Sequence, residues 1–248
     1  VLTMEHLPFS FPVTEPEIAR RRLLILSTLC ASDNGFCTIP VSSVRKQTLK
    51  QMLSLYDELF LAGFLEKSYS SIDVTLSNRL TSSAGKFIYT RNSAEQISRV
   101  EIRMSGDFLF RLKEGPFVLN GLSVSTAQEA FLVVFEHELC HAIEKVLYGS
   151  TGHSSRFLSL AHGLFGHKET KHNLPTRQQE AAADGLQVGR KVCFHYHGGV
   201  LADMISHIEK NATVMVKDPR GLYQDRTGQR YTKYRVPLEQ LFPFQKET

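Results

Sequence analysis

The stretch FEHELCHAIEKVLYGSTGHSSRF, residues 135–157, combines a helical pattern with three histidines. His137 and His141 are four residues apart, Glu138 follows the first of them, and His153 comes twelve residues after the second. Side chains at positions i and i+4 of a helix come within about 5–6 Å of each other, so two imidazoles can bind one ion. The spacing therefore predicts a metal site on a helix.

The residues around this motif predict where the helix begins and ends. Thr126 and Glu129 have the spacing of a capping box at the head of a helix over residues 127–148, and Gly149 is a typical helix stop. Apolar residues at intervals of three and four predict a core-facing stripe: Leu132, Phe135, Leu139, Ile143 and Val146. At about 100° per residue, His137 is about 200° away from Leu139. We therefore expect the histidines to share a face turned away from the stripe.

The same pattern predicts a catalytic zinc ion, Zn2+. Such an ion takes three protein ligands and keeps one open position. Glu138 is displaced around the helix, where its carboxylate can reach a water on the metal without binding the metal itself. Zinc lowers the pKa of that water from about 15.7 towards 7, and the carboxylate accepts the proton as general base. The expected reaction is hydrolysis of peptide bonds.

Two residues are candidates for the third ligand. His153 follows a glycine-bounded loop and precedes a short helix predicted in SSRFLSLAHGLF, so the chain can fold back to the metal. Glu180, with Asp184 four residues later, matches instead a pattern in which a glutamate binds zinc and the aspartate supports a metal-bound histidine. We favour His153 and keep Glu180 as the alternative.

Other segments predict an α+β fold. Helices are expected over residues 14–31, where Thr14 and Glu17 have capping-box spacing, and over residues 46–62. Three strands are expected in IDVTLSN, GKFIYTR and RVEIRMS, and further short strands with glycine-rich turns in KVCFHYH, ATVMVKD and YTKYRVPL. These last strands predict a small β-barrel or SH3-like module.

Several motifs in a fixed order resemble the SprT-like family of zinc metallopeptidases. The lead-in LYDELFLAGFL spans residues 55–65, RLTSSAG spans residues 79–85, and H-E-x-x-H and the G-H-x-x-x-F segment follow them. The resemblance covers about residues 46–175. It implies that His137, His141 and His153 bind zinc and that Glu138 is the general base. It also implies a helix-rich zincin-type metalloprotease core with a small β-sheet.

This resemblance suggests a division of the chain into three parts. Residues 1–45 are expected to form an N-terminal helical extension, residues 46–184 the metalloprotease core, and residues 185–248 the small β module. The DNA-repair role of some SprT-like proteins does not carry over directly, because their DNA-binding modules lie beyond the core and this C-terminal part has no matching cysteine knuckle.

Charge and cysteine content bear on partners and location. The tail from Gly185 has ten basic and six acidic residues, which equals the +4 of the whole chain, so attraction to polyanions is expected there. Its basic and aromatic residues could pair with phosphates and stack on bases: Arg220, Arg226, Arg230, Lys233, Arg235, Tyr223, Tyr231 and Tyr234. Four cysteines without a C-x-x-C pair favour a cytoplasmic setting. No apolar run approaches the ~18 residues of a membrane helix, so a membrane is not an expected partner. A protein substrate is expected, because the predicted reaction is hydrolysis of peptide bonds.

A different class of function competes with the enzyme. The helices expected within residues 18–66 resemble a winged-helix DNA reader, so the alternative is a nucleic-acid-binding protein whose zinc is structural. His162, His167 and His172 recur at intervals of five, which fits neither one helix face nor a strand, and we expect a polar loop there.

Overall fold

The structure is a computed structural model that describes residues 7–112, 114–170 and 177–244. The chain divides into two compact units, Val1–Leu174 and Pro175–Thr248. None of the helices in the described ranges is both long and apolar enough to cross a membrane. The three-part division given above stays a prediction.

The first unit contains both helices and strands. Its described helices are α1 (Glu15–Ser32), α2 (Asn34–Cys37), α3 (Lys46–Leu61), α4 (Phe64–Ser68), α5 (Gly106–Arg111), α6 (Ala127–Tyr148) and α7 (Ser155–Phe165). Its described strands are β1 (Ile72–Ser77), β2 (Gly85–Arg91), β3 (Ile97–Ser105), β4 (Glu114–Leu119) and β5 (Leu122–Thr126). The mixed helix and strand composition is confirmed, and the zincin architecture stays a prediction.

Three strands of this unit form a sheet with β3 in the middle. β1 pairs with β3 in parallel, with Ile72 opposite Val100, and β2 pairs with β3 antiparallel, with Gly85 opposite Met104. The three strands were predicted from their alternation of apolar and polar residues. A second pairing, the hairpin of β4 and β5, was not predicted.

Helix α6 runs through the middle of the first unit. Of its 22 residues, 18 are buried, so it packs on nearly all sides. The capping box is confirmed: Thr126 Oγ1 accepts the backbone N–H of Glu129, and Glu129 Oε2 accepts that of Thr126. Gly149 ends the helix in the left-handed conformation, at φ 70°. Four of the five residues of the predicted stripe are buried, and the face of α6 that carries His137 and Glu138 is covered as well.

Helix α1 belongs to the core of the first unit. Ile25 and Leu29 are fully buried, and they share one hydrophobic cluster with residues of α3 and α6. The predicted capping box of α1 is wrong: Thr14 is the N-cap residue, but its side chain makes no capping hydrogen bond. Residues 15–32 therefore contribute to the packing around α6.

The second unit is an open antiparallel sheet beside one helix. Its described elements are α8 (Arg177–Ala183), β6 (Lys191–Tyr196), β7 (Gly199–Ile208), β8 (Asn211–Lys217), β9 (Tyr223–Gln224), β10 (Arg230–Pro237) and β11 (Phe242–Pro243). Within residues 177–244 the strand order is β11-β6-β7-β8-β10-β9, and the two edge strands do not pair with each other. The predicted barrel is therefore wrong, because the sheet does not close. One face packs on Ala181 of α8 through Phe194, Ile205 and Val214.

Candidate metal centre

Helix α6 presents the first two histidines one turn apart. The ring centroids of His137 and His141 are 5.0 Å apart, as expected for positions i and i+4. His137 is buried, with an exposed fraction of 4%, and His141 is partly buried. Because the helix is fixed at both ends and packed along its length, the two imidazoles have a defined direction.

The loop after α6 brings His153 to the same place. His137 Nε2 and His153 Nε2 are 2.9 Å apart, and the ring centroids of His141 and His153 are 4.9 Å apart. Glu144 Oε2 accepts the backbone N–H of Gly152 at 2.9 Å, which holds the loop against α6 next to His153. His141 Nδ1 lies 4.0 Å from the same Glu144 oxygen.

The phenyl ring of Phe157 packs against all three histidine rings. Phe157, on the first turns of α7, is fully buried, and its ring centroid lies 4.8, 4.5 and 5.1 Å from those of His137, His141 and His153. An apolar group in this place limits the approach of water from the protein side and fixes the ring planes. The histidine nitrogens are left to converge on the other side.

The three side chains fit a divalent metal ion. Their ligand atoms all lie within 4.8 Å of one another. A tetrahedral zinc with bonds of about 2.0–2.1 Å separates its ligand atoms by about 3.3 Å. This value of about 3.3 Å lies between the 4.8 Å limit and the 2.9 Å that separates His137 Nε2 from His153 Nε2. Among the described residues this is the only such group of three or more histidine, cysteine or acidic side chains. Imidazole suits zinc, copper, iron and nickel, so the ligands alone do not define the ion.

Glu138 lies beside the cluster and under strand β2. Its exposed fraction is 5%, and burial raises its pKa to about 8, although the backbone N–H of Phe87 donates to it and acts in the opposite direction. A Cβ atom built on Gly85 would lie only 2.7 Å from Glu138 Cγ and Oε1. The absence of a side chain at Gly85, the first residue of β2, therefore provides the space that the Glu138 carboxylate occupies. A cation held by the histidines would favour the charged form of Glu138.

A model of the SprT-like family matches residues 49–178, just over half of the chain. The chain belongs to the SprT-like family. Membership indicates a metallopeptidase-type function, and the matched residues include all three histidines and Glu138. No curated protein matches the chain.

The family match also marks which parts of this SprT-like chain lie outside it. Helix α1 precedes the matched residues, and the six strands of the second unit follow them. The family motifs lie on α3 and α4, in the segment that leads into β2, on α6, and at the start of α7. The sheet of the second unit therefore has to be interpreted from its own residues.

Other residues singled out in the sequence have different places. Glu180 lies on α8 and Asp184 just after it, both in the second unit. The expectation of a polar loop is wrong for two of its residues, because His162 lies on α7 and His167 is fully buried. His162 Nδ1 hydrogen-bonds the His167 carbonyl oxygen. His172 lies outside the described residues.

Sequence reasoning missed the polar groups that surround the centre. Glu144 was not recognised as the acceptor that holds the Gly152 loop. Glu136, immediately before His137, is fully buried and pairs with Arg22 of α1. A buried acid inside an otherwise apolar helix is a signal that a basic partner is needed. The sequence gives no indication of which basic residue that partner is.

Proposed function

We propose that this chain is a zinc-dependent endopeptidase in which His137, His141 and His153 bind the ion and Glu138 is the general base. The observation that carries this proposal is the convergence of three imidazoles next to a buried carboxylate on the same helix. Three histidine ligands leave one coordination position for the reaction, as catalytic zinc sites require. Membership of the SprT-like family supports the same function.

Different residues of the chain would have different roles in hydrolysis. A zinc ion bound there would supply Lewis acidity, which acidifies water and polarises the scissile carbonyl. Glu138 would accept a proton from the attacking water and deliver it to the amide nitrogen that leaves. Gly85 and the N–H of Phe87 would keep this carboxylate in place, while Phe157 keeps the histidine rings in place.

Substrate would approach from the exposed side of His153. A shallow cavity of about 350 Å³ opens there, lined by His153, Ser154, Ser155, Leu158, Glu169 and Thr170. Such an open surface fits a segment of polypeptide better than a small molecule, which is usually enclosed on most sides. A protein substrate is therefore part of the proposal.

Elemental analysis of purified variants tests the ligand set. We expect about one zinc per chain in the wild type and loss of that zinc in His153→Ala. The matched control is His195→Ala, which removes an exposed histidine of β6. If zinc is retained in His153→Ala and lost in Glu180→Ala, then Glu180 is the third ligand and our assignment is wrong.

Cleavage of casein tests the role of Glu138. We expect Glu138→Gln to retain its zinc and to lose cleavage, because an amide has the same shape but cannot accept the proton. Glu58→Gln, which changes an exposed glutamate of α3, is the control and should cleave like the wild type. Full cleavage by Glu138→Gln would contradict the proposal.

The alternative, a nucleic-acid-binding protein with a structural zinc, makes a different prediction. A structural zinc has four protein ligands, whereas the group in the described residues has three. In addition, α1, α3 and α4 share one hydrophobic core with α6, so the helices of the suggested DNA reader belong to the same unit as the helix that carries the histidines. A zinc protein without any cleavage, and with a fourth protein ligand shown by X-ray absorption, would favour the alternative.

We also propose that the second unit binds single-stranded nucleic acid and so directs the peptidase to DNA-associated proteins. The proposed function then includes the repair of DNA–protein crosslinks. Tyr231, Lys233 and Arg235 alternate along β10 and so share one face of the sheet. A surface pocket of about 440 Å³ lies between Lys233, Arg235 and Tyr223. Cationic groups beside an exposed tyrosine can pair with phosphates and stack on bases. The cytoplasmic setting stays a prediction.

Binding of a fluorescent oligonucleotide at two salt concentrations tests this partner. We expect the double variant Lys233→Glu, Arg235→Glu to weaken binding at least tenfold, and the wild-type affinity to fall with salt. Lys210→Glu, in the exposed turn between β7 and β8, is the control. Equal binding by both variants would rule out this face. Stimulation of casein cleavage by single-stranded DNA would link the two units in function.

A further inference from the structure

A buried ionic network lies on α6 next to the metal centre. The Glu136 side chain is fully buried, and its carboxylate accepts hydrogen bonds from Arg22 Nε at 2.7 Å and Arg22 Nη2 at 2.6 Å. Tyr56 OH donates to the same carboxylate at 2.8 Å, and His167 Nε2 lies 2.9 Å from it. Each carboxylate oxygen of Glu136 therefore has two partners, Arg22 and Tyr56 on Oε1 and Arg22 and His167 on Oε2.

The guanidinium of Arg22 connects α6 to α7. Besides its two bonds to Glu136, Arg22 Nη2 donates to the carbonyl oxygen of Phe165 at 2.6 Å, at the last residue of α7. Helix α6 carries His137 and His141, and α7 follows His153 directly and carries Phe157. One side chain of α1 thus binds to both helices between which the three histidines meet.

From this we infer that Arg22 is a positioning residue for the metal centre. Glu136 is the residue before His137, so any rotation or shift of α6 that moves Glu136 also moves His137. The bond to Phe165 fixes the far end of α7, and with it the distance between α7 and α6. The inference rests on the proposed metal site, and it assigns to α1, which precedes the matched family residues, a role in building that site.

The chemistry of arginine explains why this residue type is needed. The fork of a guanidinium can make two parallel bonds to one carboxylate and a third to a carbonyl, with all atoms in one plane. A buried carboxylate without a cationic partner is strongly unfavourable. Without Arg22, the backbone around Glu136 would therefore shift to bring the carboxylate to water or to another partner. The geometry of α6 near His137 would change first, because Glu136 is attached there.

Binding of Co²⁺ to the 248-residue chain provides the test. We would measure the affinity by competition with a chelator and record the visible absorption of the bound ion, which responds to coordination geometry. For Arg22→Met we expect about tenfold weaker Co²⁺ binding, as found when groups behind metal ligands are removed, together with a changed absorption spectrum. In the peptidase assay kcat should fall while KM changes little.

Arg21→Met is the matched control. Arg21 lies on the same helix, is similarly buried, with an exposed side-chain fraction of 16% against 23% for Arg22, and pairs with Glu17 instead of Glu136. Its loss should lower stability without changing Co²⁺ affinity or the spectrum. Equal effects of the two substitutions on the bound ion would overturn the inference, because general destabilisation would then explain both.

A second variant covers the case in which Arg22→Met does not fold. Arg22→Met combined with Glu136→Gln removes both charges and keeps the shape of residue 136, so the buried charge is no longer a reason to unfold. It still lacks the bonds to α7, and we expect the same tenfold loss of Co²⁺ affinity. Wild-type affinity and spectrum in this double variant would refute the positioning role. Failure of the wild type itself to bind Co²⁺ would instead refute the proposed metal site.

Discussion

Substitution of Gly85 by alanine should move the proposed general base and leave the three proposed metal ligands in place. Gly85 is the first residue of β2, and a Cβ atom there would lie 2.7 Å from Glu138 Cγ and Oε1 and 3.0 Å from Cδ. Carbon atoms in favourable contact are about 3.5–4.0 Å apart. The Glu138 side chain would therefore have to move by about 1 Å.

A shift of this size predicts a large loss of rate and a small change in stability. A misplacement of about 1 Å in a reacting group costs about 100-fold in rate, which corresponds to about 2.7 kcal/mol of transition-state free energy. The displaced atoms belong to the Glu138 side chain and not to the backbone of α6, so the helix does not have to move. Alanine is also at least as favourable as glycine within a strand. We therefore expect Tm to stay within a few degrees of the wild type.

Kinetics, zinc content and thermal unfolding of Gly85→Ala would be measured side by side. The expected result is a kcat/KM about 100-fold lower, with about one zinc per chain. Gly152→Ala is the control, because a Cβ on this glycine, next to His153, meets nothing within 4 Å. Wild-type kcat/KM in folded Gly85→Ala would refute the argument that Glu138 acts from this position. Loss of zinc would show that the contact reaches the histidines.

Three further changes have distinct expected outcomes. Glu144→Ala removes the acceptor of the Gly152 N–H, so metal affinity measured by chelator competition should fall about 10-fold or more. Phe157→Ala removes a fully buried ring, so the free energy of unfolding in urea should fall by about 3–5 kcal/mol. Burial opposes ionisation of Asp33, yet the Thr48 hydroxyl and two backbone N–H groups lower its pKa. This contribution is present above the unfolded pKa of about 3.9 and is lost as pH falls through the lower folded value, so Asp33→Asn should flatten the pH dependence of urea unfolding below pH 4.

Local signals in the sequence account for the elements that could be predicted. Helix α6 begins at a capping box and ends at a glycine in the left-handed conformation. Both signals depend only on residues within three or four positions of the helix ends. The strands β1 to β3 are short runs of alternating residues with polar boundaries. The i and i+4 spacing of His137 and His141 needs only the geometry of one helix. The structure also brings His153 close to them, and the identity of the third ligand stays a prediction.

Two missed elements carried signals that were not used or were weak. The hairpin of β4 and β5 turns at Asn120 and Gly121, both with positive φ, of 50° and 73°. An Asn-Gly pair between apolar residues is a strong hairpin signal and could have been recognised.

Strand β7 contains Asp203 and His207 and a register shift near Ile205, so its alternation is interrupted. The open sheet was mistaken for a barrel because closure depends on the edge strands, which are only two residues long.

The contacts that surround the centre are not encoded locally. Arg22 and Glu136 are 114 residues apart, and no periodicity relates them. Nor does the predicted stripe on α6 indicate that the histidine face is covered by Phe157 and β2. Such contacts depend on which elements pack together, so only the three-dimensional structure defines them.

The three buried carboxylates of α6 have different partners, and the proposed metal ion would be the positive partner of one of them. Glu136 is balanced by the charge of Arg22, and Glu144 accepts the Gly152 N–H at the edge of the loop. Glu138 receives the N–H of Phe87, and burial still raises its pKa to about 8. A buried carboxylate is stable in its charged form only near a positive group. An ion bound by the neighbouring histidines would supply that charge, so metal binding and ionisation of the proposed base would be coupled.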